Sequence, residues 1–189
     1  MSRRKKGVYA VVGSIAVIGL LYYFIFSSSA ILKNVSHHRG YHMQVAEDPL
    51  PIELFIESQM YSIKEGEQKI INKVMHNEHH TKIILEDVFF REEYLHFNFT
   101  TEYDLPFLEG GFLYNGVLQP RASITPYSGF SGFEAKTANN ELLQIGQIGS
   151  GPNSDFLFSL YQPPMELLQD GFTVRYDGLY LHEYQLKWK

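Results

Sequence analysis

The chain opens on one unbroken apolar block and then settles into short alternating runs. Gly7 to Phe26 (GVYAVVGSIAVIGLLYYFIF) is 20 residues long and holds no charge and no proline. At 1.5 Å per residue this makes about 30 Å of helix, the thickness of a bilayer's hydrocarbon core. Residues 7–26 therefore read as a transmembrane helix. Arg3, Arg4, Lys5 and Lys6 stand before it, and only Lys33 follows closely. The positive-inside rule makes residues 1–6 a cytoplasmic tail and puts everything after the helix outside the cytoplasm. Tyr22, Tyr23, Phe24 and Phe26 form an aromatic cluster at the outer end, where amphipathic rings suit the interface. A cleaved signal peptide is the other reading, with Ser28-Ser29-Ala30 as the small-residue cut.

Residues 27–50 are polar and irregular and end at Pro49 and Pro51, which reads as a stalk. Beyond it, residues 51–189 are expected to form one exported domain. Ile52 to Ile63 is ambiguous between helical and strand spacing. Lys69–Met75 is a short β-branched run closed by a polar turn at His76–His80. Lys82–Phe90 and Glu93–Thr101 are strand candidates around a charged turn at Arg91-Glu92. The second alternates, with Leu95, Phe97 and Phe99 on a dry face and His96, Asn98 and Thr100 on a wet one. Asn115-Gly116, between Phe112–Tyr114 and Val117–Leu118, predicts a hairpin. Phe156–Tyr161, Phe172–Tyr176 and Leu179–Trp188 complete the set, while Gly129–Asn153 reads as loop around a short strand at Leu142–Ile145. Seven or eight short strands separated by turns predict a mainly β fold, an antiparallel β-sandwich.

Composition narrows the setting. There is no cysteine, which removes disulfides, thiolate metal sites and Cys nucleophiles. An exported domain without disulfides points to a bacterial, Gram-positive cell surface. Past the apolar block, 12 basic residues face 21 acidic ones, a net of −9. Such a domain repels nucleic acid, so no nucleic-acid partner is expected.

Candidate chemistry is thin. His76, His79 and His80, with Glu78 among them, have the donor types for zinc or copper, although no diagnostic zinc-enzyme spacing is present. His37, His38 and His42 fall in the expected stalk, and His96 and His182 on strand faces expected to be wet. The acidic pairs Glu86-Asp87, Glu92-Glu93 and Glu102/Asp104 read as solvated turns and strand ends. A glycosidase would need two carboxylates facing across a cleft. Gly146-x-x-Gly149-x-Gly151 lacks both the order and the following helix of a dinucleotide fingerprint. No cofactor is expected. Aromatics crowd the middle third (Tyr103, Phe107, Phe112, Tyr114, Tyr127, Phe130 and Phe133). Most are expected in the core, and some on a surface for a protein or glycan partner.

The stretches TKIILEDVFFREEYLHFNFTTEYD (81–104) and GFTVRYDGLYLHEYQLKWK (171–189) resemble the immunoglobulin-like exported domains of Gram-positive membrane-anchored proteins, including some anti-sigma-factor regulators. The resemblance implies an immunoglobulin-like sandwich and nothing catalytic. Such regulators hold a sigma factor with a cytoplasmic domain, whereas six residues precede the helix here. Lys5-Lys6-Gly7 also resembles a type IV prepilin leader, but Val12 stands where those proteins carry glutamate. The expected role is a non-enzymatic, membrane-tethered domain that binds another envelope or membrane protein. A metal or ligand sensor built on the His76–His80 turn and an envelope hydrolase are the alternatives.

Overall fold

A computed structural model describes Gly19, Tyr22 and residues 26–119, 123–126 and 132–188. Of the expected span 7–26, only Gly19, Tyr22 and Phe26 are among these, so that expectation lies outside the described residues. Among the described residues no helix is long and apolar enough to cross a membrane.

The stretch expected to be a stalk is folded. Helix α1 (Ser28–Ser36) begins at Ser27, whose side chain accepts the Ala30 N–H at 3.4 Å. It ends where the His37 N–H returns to the Lys33 carbonyl at 3.2 Å, and His38 turns left-handed with φ 54°. Ile31 and Val35, four apart on one face, are both buried. Strand β1 (Tyr41–Val45) follows, with Tyr41 buried and its hydroxyl donating to the Phe107 carbonyl at 2.9 Å. Ile31, Val35 and Tyr41, with Leu32 and Met43 packed beside them, join the stretch to a core completed by residues far along the chain.

β2 (Ile52–Ile56) resolves the ambiguous segment. Ile52, Leu54 and Ile56 point inward while Glu53 and Phe55 are exposed, and a 3-10 turn over Ser58–Met60 ends the run. β3 (Gln68–Glu78), β4 (Thr81–Arg91) and β5 (Tyr94–Tyr103) form consecutive hairpins. Their two-residue turns, His79-His80 and Glu92-Glu93, all have positive φ, from 49° to 69°. This is the left-handed pair that matches the strand twist in a tight hairpin.

After these come β6 (Glu109–Tyr114), β7 (Gly116–Gln119), β8 (Ser123–Pro126), β9 (Phe133–Thr137) and β10 (Leu142–Leu143). β11 (Ile145–Ser150), β12 (Phe156–Tyr161), β13 (Phe172–Tyr176) and β14 (Tyr180–Leu186) complete the chain. The expected Asn115-Gly116 hairpin does not form. β6 pairs with β14, and β7 pairs with β8. Asn115 instead donates its N–H to Ser154 Oγ, so the chain leaves one sheet for another at this point. Within 129–153 the short strand expected at Leu142–Ile145 appears as β10, and the described residues there also hold β9 and β11.

Among the described residues the strands make four antiparallel sheets, ordered β11-β12-β5-β4-β3, β10-β9-β13-β2, β1-β14-β6 and β7-β8. The first two face each other across the main core. Phe97 meets Phe172 edge-on at 5.4 Å, and Phe133 lies 5.5 Å from Phe158. Leu95, Phe97 and Phe99 all point into this core, as the alternation in β5 predicts. Truncating such a buried ring costs about 3–5 kcal/mol. A second, smaller core lies between α1 and the three-stranded sheet, built from Ile31, Val35, Tyr41, Leu105, Phe112 and Tyr184 with their neighbours.

Candidate functional site

The three candidate histidines lie on one hairpin. His76 lies on β3, while His79 and His80 are the two turn residues that follow that strand. Among the described residues, no group of three or more His, Asp or Glu side chains is placed to hold a metal ion. His79 and Glu78 are near enough to act on the charge of His76, in opposite senses. Burial holds the His76 imidazole below its ordinary pKa, and its Nε2 is shielded from solvent with no hydrogen-bond partner among the described residues.

Two histidines expected on wet faces are covered. His96 stacks on Phe89 with ring centres 4.3 Å apart, and burial lowers its pKa. His182 is fully buried against Phe112, 5.2 Å away. Its Nε2 accepts the Leu118 N–H at 3.3 Å while Nδ1–H donates to the Tyr180 carbonyl at 3.0 Å. With both nitrogens committed, the ring is a neutral crosspiece, and burial pushes its pKa down to about 4. Nothing in a lone His between two strand residues signalled this. The second core that covers it depends on α1.

The densest polar cluster joins β5, β6 and the turn Gly151–Asp155. Asn153 and Ser154 both have positive φ, 56° and 71°, which aims the turn's polar groups inward. Ser154 Oγ accepts the Asn115 N–H at 2.8 Å and donates to Asn115 Oδ1 at 3.1 Å. Asp155 Oδ1 accepts the Thr101 N–H at 2.8 Å, and Thr101 Oγ1 donates to the Ser154 carbonyl at 3.1 Å. The Tyr103 hydroxyl lies 2.8 Å from the Asn153 carbonyl, and burial pushes its pKa up. Thr81 Oγ1, fully buried, accepts the Leu113 N–H at 2.9 Å. Ser154 Oγ is held by Asn115 through one donated and one accepted hydrogen bond, and the Tyr103 side chain is a further hydrogen-bonding neighbour. The cluster locks the turn to two sheets through hydrogen bonds within the fold.

One shallow cleft of about 250 Å³ brings Glu86 and Asp155 to its lining, together with Asn98, Thr100 and Ser150. Asp87, the neighbour of Glu86 at a bulge in β4, lies across from Asn98 on the face opposite the core and accepts from Asn98 Nδ2 at 2.9 Å. Another cleft, of about 270 Å³, lies between α1 and the ends of β6 and β7, with Lys33 as its charged lining residue.

The middle-third aromatics are mostly interior. Phe112 and Tyr114 are buried, and Phe133 stacks on Tyr176 at 4.2 Å. Tyr127 and Phe130 lie outside the described residues. The outward face of the five-stranded sheet instead carries Phe89, Tyr94 and Tyr161, with Tyr94 and Tyr161 5.1 Å apart. At that sheet's edge, β3 leaves Ile70 62% and Val74 48% exposed. Bulges interrupt its pairing with β4 between Ile70 and Lys73 and again between Val74 and His76. β3 is thus an 11-residue edge strand with outward apolar groups, its Lys69 and Lys73 engaged by Gln59 and Glu57. No protein-family model matches this chain, and no curated protein or solved structure is significantly similar to it.

Proposed function

We propose that this chain is a non-enzymatic interaction domain tethered to the cell membrane through residues 7–26, with residues 1–6 in the cytoplasm and the folded part outside. The observation that carries the reading is how the chain enters the fold. Phe26, the last residue of the apolar block, packs on Phe107 with ring centres 4.5 Å apart. Ser27 then caps α1, and Ser28 Oγ accepts the Leu105 N–H at 3.0 Å. A helix tied in this way holds the domain at the membrane surface without a free linker. Cutting at Ser28-Ser29-Ala30 would remove the cap and first turn of α1, which favours a retained anchor over a cleaved leader.

The two facing antiparallel sheets support a β-sandwich. The stretches that carry the immunoglobulin-like resemblance fall on β4 and β5 of one facing sheet, on β13 of the other, and on β14 of the three-stranded sheet. The binding mode we favour is strand addition at β3, in which a partner envelope protein supplies main-chain hydrogen bonds and Ile70 and Val74 supply side-chain contacts. The hydrolase alternative rests on Glu86 and Asp155 sharing a cleft, but one oxygen of Asp155 is spent on a backbone N–H.

The test is a photo-crosslinking residue placed at Val74 in living cells, with the same residue at exposed Ala138 as control. One reproducible envelope protein captured from Val74, absent from Ala138 and lost with Ile70→Glu, supports the reading. Equal capture from both positions, or none from Val74, contradicts it.

A further inference from the structure

Apolar residues from three separate stretches, half-buried Phe107 among them, are brought toward the point where the chain enters the fold by one ring contact and one backbone hydrogen bond. Tyr22 stacks on Phe26 at 4.6 Å, and Phe26 in turn meets Phe107. The next residue, Leu108, is 50% exposed, and its carbonyl accepts the Leu186 N–H at 2.7 Å. Two residues further on is Trp188, 76% exposed, the most exposed large hydrophobic side chain among the described residues. Exposed Lys187 lies between them, its N–H donating to the Gly40 carbonyl at 2.8 Å. Single exposed apolar residues are ordinary on a protein surface, but a gathered set marks a contact.

What covers this set follows from its place in the chain. The 20-residue apolar block ends at Phe26, and the fold begins at Ser27. A helix rises only about 1.5 Å per residue, so whatever touches Phe26 lies within a few ångströms of the block's outer end. Trp, Phe and Leu beside a Lys make the composition of the water–lipid interface, where amphipathic rings and snorkelling lysines are favoured. The flanking carboxylates Asp104 and Glu109 and the acidic balance of the domain disfavour attraction to anionic headgroups. The contact is therefore apolar, not electrostatic.

We propose that Phe26, Phe107, Leu108 and Trp188 form one surface that rests in the headgroup layer of the bilayer and docks the domain against lipid. The proposal builds on the reading of residues 7–26 as a membrane anchor, and the experiment separates the two.

Trp188 is the single tryptophan of the chain, so its fluorescence reports this surface alone. Full-length protein is reconstituted into phosphatidylcholine liposomes, with and without headgroup spin-labelled lipid. Resistance to alkaline carbonate during flotation reads the anchor, and quenching of Trp188 reads docking. The expected result is carbonate-resistant protein whose Trp188 emission is blue-shifted and strongly quenched, unchanged at high salt. Leu108→Glu, at an exposed position, should return the emission to that of a solvated tryptophan while circular dichroism and anchoring stay the same. Anchored protein with unquenched Trp188, or equal quenching in Leu108→Glu, overturns the docking surface and leaves the anchor standing. Protein stripped by carbonate overturns both.

Discussion

His182 makes the stability of the domain depend on pH in a way that can be worked out in advance. Its imidazole is fully buried, donates through Nδ1 to Tyr180 and accepts at Nε2 from Leu118, so the folded state holds it neutral. Burial is the dominant cause that takes its pKa from 6.5 to about 4, with the Tyr180 hydrogen bond acting in the opposite sense. In the unfolded chain the ring protonates below about pH 6.5. Between about pH 6.5 and 4, the unfolded state therefore binds more protons than the folded state. Stability is flat with respect to this group above that window, falls as pH falls through it, and levels again below. At 1.36 kcal/mol per pH unit the whole loss comes to about 3 kcal/mol, a large part of a typical domain's stability. His182→Phe removes the titration, at the cost of about 1–3 kcal/mol from the Leu118 N–H left without a partner. The assay is urea unfolding of the full chain at closely spaced pH values from 7.5 to 4 (~ one series each for wild type and variant), followed by circular dichroism. His76 and His96 also have lowered pKa values, but they contribute equally to both series and cancel in the difference. The expected wild-type slope exceeds that of His182→Phe by about 1.4 kcal/mol per pH unit inside the window. Parallel slopes would refute the argument that burial governs this ring.

Two further outcomes follow from the backbone and the polar cluster. Ser154→Ala should destabilise the domain by about 1–3 kcal/mol in the same unfolding assay, because it strips Asn115 of both hydrogen bonds at a site 1% exposed. A cost near zero would mean that the cluster does not lock the turn. His79→Asn with His80→Gly gives the left-handed turn the residues it prefers, and should raise stability by about 1 kcal/mol, read as a higher Tm. The same variant and the wild type should behave alike in zinc titration, and a zinc-dependent rise in Tm confined to the wild type would restore the metal reading.

The parts legible in the sequence were those whose pattern is local. β5 announced its buried face through Leu95, Phe97 and Phe99, and all three lie in the main core. A turn at Asp170 leads into β13, with Gly171 at the left-handed φ of 84° that glycine favours. Features decided by distant partners were hidden. Ile31, Val35 and Tyr41 looked like stray apolar residues in a stalk, since the surfaces that bury them come from residues 105–118 and 184. Asn115-Gly116 had the local signature of a hairpin, but Ser154, 39 residues away, took the Asn115 backbone. The same dependence concealed the polar cluster. A run of Gly, Pro, Asn, Ser and Asp reads as solvated loop until Thr101 and Tyr103 are placed against it.

The central claim is that the described fold stands outside the cytoplasm on an anchor whose N-terminal tail remains inside. The absence of cysteine makes a direct measurement possible, with single cysteines introduced at Ser2 and, separately, at exposed Ala138 in the turn after β9. Intact cells are treated with a membrane-impermeant maleimide before and after permeabilisation. The account predicts that Ala138→Cys labels in intact cells and that Ser2→Cys labels only once the membrane is opened, both remaining in the membrane fraction. Labelling of Ser2→Cys alone in intact cells, or of neither until permeabilisation, would contradict it.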